Sequence, residues 1–300
     1  YDKVNKEKVK IDRVLTGYLD KDTVENIVEN IKRNHDREID IGYRANQLSF
    51  SLGKQGRLKK EIAEIFKDKC KNNRLKVDLS NKAGDTFLGL DWYKFLGNCK
   101  YTIGVEGGAS ILDKDGEISN RVIKYLDKFP DASFEDVSEK ILSKFEGSIQ
   151  YFAISPRNLE CCITKTCQIL IEGDYNGIIK PGVDYIELKR DFSNIDEVIE
   201  MVKNDNKRLS IVEKAFGNVV YNDELYYDSF VSKLLNLSLG IKHNWSVPTP
   251  TDKSVFERLN KRELHLWKYV IPIRSFLIKM IVSSLPRNIF AFIEKLYKKY

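Results

Sequence analysis

Histidine, methionine and proline are scarce in this chain of 300 residues, which holds three, two and seven of them. The histidines (His35, His243, His265) fall in a charged stretch, a linker and the C-terminal tail, which excludes a Ser/His/Asp or Cys/His catalytic set built from neighbouring motifs. No two of the five cysteines (Cys70, Cys99, Cys161, Cys162, Cys167) are spaced C-x-x-C, and none has a histidine at zinc-ligand spacing. An odd count with two adjacent residues also argues against a secreted disulfide framework and for a reducing, cytoplasmic compartment. No signal-peptide pattern is present, and no apolar run reaches bilayer length. Excess charge is scarce too. The net charge is +6, while 252–300 alone carries eleven Lys and Arg against four acids. The rest is therefore near neutral, unlike a general nucleic-acid binder.

What is present is ordinary for a folded protein: 42% hydrophobic and 31% charged residues. Short apolar runs at 38–44, 75–79, 101–105, 150–154, 167–172 and 184–188 read as strands. Helical patterns at 57–70, 92–98, 118–128, 133–144, 156–165 and 194–203 alternate with them. Such alternation predicts an α/β fold, a Rossmann-like parallel sheet with helices on both faces. Pro156 suits the first position of a helix capped by Ser155, and Asn194 or Ser193 suits the cap of the next. Residues 1–37 offer a helix at 22–33 and a short strand at 13–15, and are expected to be the remnant of an upstream region, since the chain opens on Tyr1 in a charged stretch. The sheet domain is expected over 38–221, followed over 222–300 by a helical, basic, amphipathic region with a helix at 229–239.

Ligands of such sheets bind at the carboxyl ends of the strands, beside helix N-termini. Two junctions there carry chemistry. At Gly104–Ser110, Gly107 and Gly108 allow close backbone approach and Glu106 offers a carboxylate to sugar hydroxyls; a tight turn with a solvated Glu is the alternative. At Ile154–Glu160, a carboxylate on a mostly apolar helix needs a partner, and a ribose diol supplies two hydroxyls at once. Thr164 shares a helix face with Glu160. Arg44 ends a strand where a diphosphate could sit, with Lys54, Lys59 and Lys60 nearby; Lys59 and Lys60 open a helix whose outer face must be polar regardless, and that is the favoured reading for them. Asp20-Lys21-Asp22 and Asp113-Lys114-Asp115 have the D-x-D form of metal-dependent sugar transferases, but neither closes a strand, so both are taken as local structure and no metal or other cofactor is expected.

Together, Asp40–Arg44, Leu90–Leu96, Gly104–Ser110, Ile154–Glu160, Ile169–Gly177 and Pro181–Ile186 resemble the C-terminal, donor-binding half of GT-B-fold glycosyltransferases, in particular those of bacterial surface-polysaccharide synthesis. The likeness covers about 36–220. It implies a nucleotide-sugar donor, a glycan or lipid-linked acceptor, and a general base on an N-terminal domain outside this chain. In that family a Glu-Gly-Phe-Gly loop faces the donor sugar and a Leu-Glu-Ala helix grips the ribose. Glu106-Gly107-Gly108 resembles the loop and Leu159-Glu160-Cys161 the helix. The resemblance thus makes Glu106 the catalytic candidate. Donor binding falls to Glu160, Arg44, Lys54, Gly107, Gly108, Ser155, Arg157, Asn158 and Thr164. The two carboxylates stand 54 positions apart, so a segment at about 113–147 is expected to loop out. The tail, with apolar stretches broken by Lys and Arg, suits an interfacial helix on the inner face of an anionic membrane or packing against the missing domain. A non-catalytic nucleotide-sugar-binding or scaffold module of a polysaccharide assembly complex is the alternative function.

Overall fold

Five short apolar segments pair in parallel: β1 (Ile39–Arg44), β2 (Val77–Ser80), β3 (Cys99–Gly104), β6 (Cys167–Ile171) and β7 (Ile186–Leu188), in the order β2-β1-β3-β6-β7. Register pairs Ile41 with Val77 and Tyr101, and Thr102 with Gln168. All five β6 residues are buried, as a strand covered on both faces requires. The computed structural model describes residues 11–30, 36–46 and 48–239, with 254, 258 and 261 besides. The chain divides into units Tyr1–Ile241 and Lys242–Tyr300. The basic tail expected at 252–300 therefore lies almost wholly outside the described residues, and the helix expected at 22–33 is described to Asn30 as α1 (Lys21–Asn30).

Helices cover both faces of the sheet, as the alternation predicted. Helix α2 (Gly53–Asn72) buries Leu58, Ile62, Phe66 and Cys70 at i+4 spacing. With α7 (Ile195–Val202) and the first half of α8 (Asp205–Val220) it packs on Ile41, Tyr43, Tyr101, Ile103, Ile169 and Ile171. On the opposite face Leu170, which alternates with Ile169 and Ile171, meets Leu159, Cys162 and Ile163 of α6 (Pro156–Ile163). Phe95 and Leu96 of α3 (Leu90–Asn98) pack with Cys99 and Cys161. Burying a side chain of this size contributes about 1.5–3 kcal/mol, so these stripes hold the helices in place.

The strand expected at 150–154 forms outside the main sheet. Tyr151–Ala153 (β5) pairs antiparallel with Gly107–Ala109 (β4), Gly108 opposite Phe152. Gly108 has φ 125°, and a Cβ there would collide with the Tyr151 carbonyl oxygen. Only glycine permits this approach. Between the two strands the chain loops out, as expected, and makes a small core of its own. Ile118 and Val122 of α4 (Glu117–Lys128) meet Phe134 and Val137 of α5 (Phe134–Val137), with Ile141 and Leu142. Ser133 caps α5 reciprocally with Asp136, and the helix expected through 144 widens into a π turn at Ser138–Leu142.

Four other features differ from expectation. The strand at 13–15 does not form; instead Leu19 bridges to the segment at 225–227, its N–H donating to the Leu225 carbonyl at 2.8 Å. Asn194 precedes α7, but its side chain ties the preceding loop: it accepts from the Lys189 N–H at 2.9 Å and donates to the Glu187 carbonyl at 3.0 Å. Helix α8 was not anticipated, because its charged first turns hide the apolar spacing. Asn204 caps it, and Arg208, 1% exposed, sits inside the buried face and bonds Asp205 at 3.1 Å. The final described helix, α9, runs Tyr227–Leu239, two residues longer than expected at its start.

Candidate functional site

The chain passes from β1 to β2 on one side and then returns to lay β3 on the other, so the strand order reverses between β1 and β3. A crevice opens at the carboxyl ends of strands at such a point. Two adjoining cavities fill it here, of about 250 and 300 Å³, and Ala45, Asn46, Ser155 and Arg157 line both.

Helix α6 aims into this crevice because its start is fixed. Pro156 takes the first turn, the Ser155 N–H donates to Asn158 Oδ1 at 2.9 Å, and the Ile154 N–H donates to Asn176 Oδ1 at 2.7 Å. Thr16 donates its hydroxyl to the Ile154 carbonyl. The Asn158 amide is itself closed against Gln168, Nδ2 to Oε1 at 2.8 Å and Gln168 Nε2 to the Asn158 carbonyl at 3.1 Å. Asn158 therefore shapes the floor through a buried amide pair.

Glu160 stands one turn further along, half-buried in the outer cavity. The Trp92 indole N–H donates to its Oε2 at 2.7 Å, while Oε1 has no partner among the described residues. Burial raises its pKa, and the Trp92 bond and the Arg157 charge draw it back. The Arg157 guanidinium lies 5.3 Å from the Trp92 ring centroid and 5.4 Å from that of Tyr43, held by two aromatic faces. Carboxylate, cation and aromatic surface thus converge at the mouth of the sheet.

The other expected residues are placed differently. Arg44 borders the outer cavity, but Nε donates to the Asp85 carbonyl at 3.0 Å. Its Nη1 bonds the Tyr43 and Asp78 carbonyls at 2.9 Å each, and Nη2 pairs with Asp78 Oδ2 at 2.7 Å. Phe87 and Phe95 flank it. It holds β1, β2 and the 83–87 loop together, in place of the expected role on a diphosphate. Lys54 opens into a separate cavity of about 510 Å³ between α2 and the looped-out segment, with Arg57, Phe134 and Arg190. Thr164 lies at the far end of α6, its hydroxyl bonded to the Glu160 carbonyl at 2.9 Å, away from the crevice. Gly107 and Gly108 are taken up in β4.

Glu106 is 3% exposed and faces the protein interior. Its Oε1 accepts the Tyr175 N–H at 2.8 Å, and the Asp174 N–H also bonds the carboxylate. A Cβ at Gly173 would collide with Oε2. Burial raises its pKa against those two amides. Where a sugar-facing carboxylate was expected, the structure has one that ties the 173–175 loop to the end of β3.

Sequence reasoning missed Trp92, Tyr43 and Thr102 and placed Lys59 on an outer face. The available signal was the lone Glu on an apolar helix, which demanded a buried donor; Trp92, three residues before Phe95 on an apolar helix face, is that donor. The two D-x-D motifs have local partners. Asp20 accepts the Thr23 N–H at 2.8 Å at the start of α1, and Asp113 accepts the Ile118 and Ser119 N–H groups at the start of α4. Among the described residues no group of three or more His, Cys, Asp or Glu is placed to hold a metal, and no helix is long and apolar enough to cross a membrane.

A five-stranded parallel sheet flanked by helices, with its crevice at the reversal of strand order, is a Rossmann-like α/β fold. No family model and no curated protein matches the chain. Among solved structures it is similar to TarM, at 14% identity and a TM-score of 0.36, covering 69% of this chain and 38% of TarM. It is also similar to a point mutant of S. aureus TarM in complex with fondaparinux, alpha-GlcNAc-glycerol and UDP, at 14% identity and a TM-score of 0.35, covering 73% of this chain and 43% of that one. The chain thus spans about two fifths of the length of these structures.

Proposed function

We propose that this chain is the donor-binding half of a glycosyltransferase, transferring a sugar from a nucleotide-sugar to a glycan or lipid-linked acceptor in cell-surface polysaccharide synthesis. The observation that carries this reading is the half-buried Glu160 carboxylate. One oxygen is oriented by Trp92, the other is unpartnered among the described residues, and Arg157 stands beside it at a topological switch point. A carboxylate so fixed suits a ribose diol, while Arg157 and the positive end of α6 suit the attached phosphates. In the reaction these groups stabilise the nucleoside diphosphate as it leaves and acquires charge. Acceptor and general base belong to the missing domain in this proposal, which places the enzyme in the cytoplasm at the inner membrane face through its basic tail.

Thermal-shift measurements with UDP-, GDP-, dTDP- and CMP-sugars test it: one base series is expected to stabilise the chain, and Glu160→Ala to abolish that shift. No stabilisation by any of them would overturn the reading. The interior-facing Glu106 favours a second reading, a non-catalytic nucleotide-sugar-binding module. Sugar transfer that requires Glu160, measured on the full-length protein, decides for the enzyme.

A further inference from the structure

The inner cavity of the crevice, about 250 Å³, has an unusual balance of charge. Lys59 and Arg157 both line it, no carboxylate does, and the N-terminus of α6 closes one wall. Glu160 lies in the adjoining cavity, on the other side of Arg157. The Lys59 ammonium has no hydrogen bond or ion pair among the described residues, and its pKa is lowered by burial and by the Arg157 charge. Two cations held together in a half-closed space, without an anion, raise each other's energy until one arrives.

A hydroxyl points to the same conclusion independently. Thr102, on β3, is 1% exposed and lines this cavity, yet its Oγ1 has no hydrogen-bond partner. The neighbouring Gln168 is turned to Asn158 instead, its Oε1 accepting from Nδ2 and its Nε2 donating to the carbonyl. A buried unpaired hydroxyl is destabilising unless a ligand meets it.

We infer that the inner cavity seats a phosphoryl group, held by Lys59 and Thr102 together with Arg157. This rests on the donor-site reading above and adds to it the residues that read the phosphate distal to the nucleoside. A point charge, a planar fork and a hydroxyl converging from three elements suit a tetrahedral oxyanion better than a flat carboxylate. The group can come from a nucleoside diphosphate or from free inorganic phosphate.

Calorimetric titration of the full chain with UDP, GDP, CDP and dTDP, their monophosphates and inorganic phosphate separates these sources. For one base, the diphosphate is expected to bind roughly tenfold or more tightly than the monophosphate. Lys59→Met is expected to erase that preference and leave the monophosphate unchanged, and Lys59→Arg to retain it. Thr102→Val is expected to weaken the diphosphate by a few fold while raising the Tm, since it removes an unpaired buried hydroxyl. A merely structural Thr102 would lower both. Nucleotide binding whose diphosphate preference survives both Lys59→Met and Thr102→Val overturns the inference and leaves the donor site standing. Binding of inorganic phosphate alone, lost in Lys59→Met, keeps the phosphoryl seat and overturns its assignment to a nucleotide. No binding of phosphate or any nucleotide overturns both.

Discussion

Glu106 and Glu160 are both acids near strand ends, both shielded from water and both with raised pKa, yet their surroundings set them to different tasks. Glu106 meets two backbone N–H groups of the 173–175 loop and has no face left for a ligand. Glu160 meets one indole N–H and keeps an oxygen directed at a crevice. What separates a structural carboxylate from a binding one here is not its burial or its distance from glycines. It is whether the protein's own donors satisfy the carboxylate, as two backbone amides do at Glu106 and a single indole does not at Glu160.

The largest test of this contrast is Glu106→Ala. It leaves two amides without an acceptor and is expected to lower stability by about 2–4 kcal/mol in urea denaturation, with nucleotide affinity per folded molecule unchanged. A stable Glu106→Ala variant that has lost binding would break the contrast. Glu160→Ala is expected to do the reverse, weakening nucleotide-sugar affinity roughly ten- to a hundredfold by calorimetry with little change in Tm. Trp92→Phe removes only the orienting donor and is expected to weaken the same affinity about fivefold.

The smallest effect is the pH dependence of stability. Because the folded-state pKa of Glu160 is raised above its ordinary 4.5, the folded state binds the proton more tightly. Its contribution is fully present below pH 4.5 and is lost as pH rises through the raised value. Glu160→Gln is therefore expected to be the more stable protein at neutral pH and to converge with the wild type in acid, as Tm against pH would show. Parallel curves would mean that the carboxylate is as well solvated as in the unfolded chain.

The sheet was legible because apolar runs and i+4 stripes depend on local sequence, as in β1, β3, β6 and α2. The start of α6 was legible from Ser155 and Pro156. The partners of polar groups were not. Arg44 looked like a phosphate ligand because nothing in its neighbourhood announced that Asp78, Asp85 and two phenylalanines would enclose it. Lys59 looked like solvent-facing helix surface because the fold that buries its stem is nonlocal. Strand β5 was found in sequence but put in the wrong sheet, since its pairing with Gly107–Ala109 depends on what the intervening residues do.

That pairing also works as a fixed port. With Gly107 opposite Ala153, the two ends of the inserted segment lie side by side whatever its length, and each doubling of a flexible loop costs only about 0.6 kcal/mol. The 54 positions between Glu106 and Glu160 therefore measure an attachment and not a distance within the sheet. Evolution can lengthen, trim or replace such an attachment without re-registering a strand. An engineer can do the same, and the exposed Pro130 and Asp131 offer a place to graft a label on the inserted segment without touching the walls of the crevice.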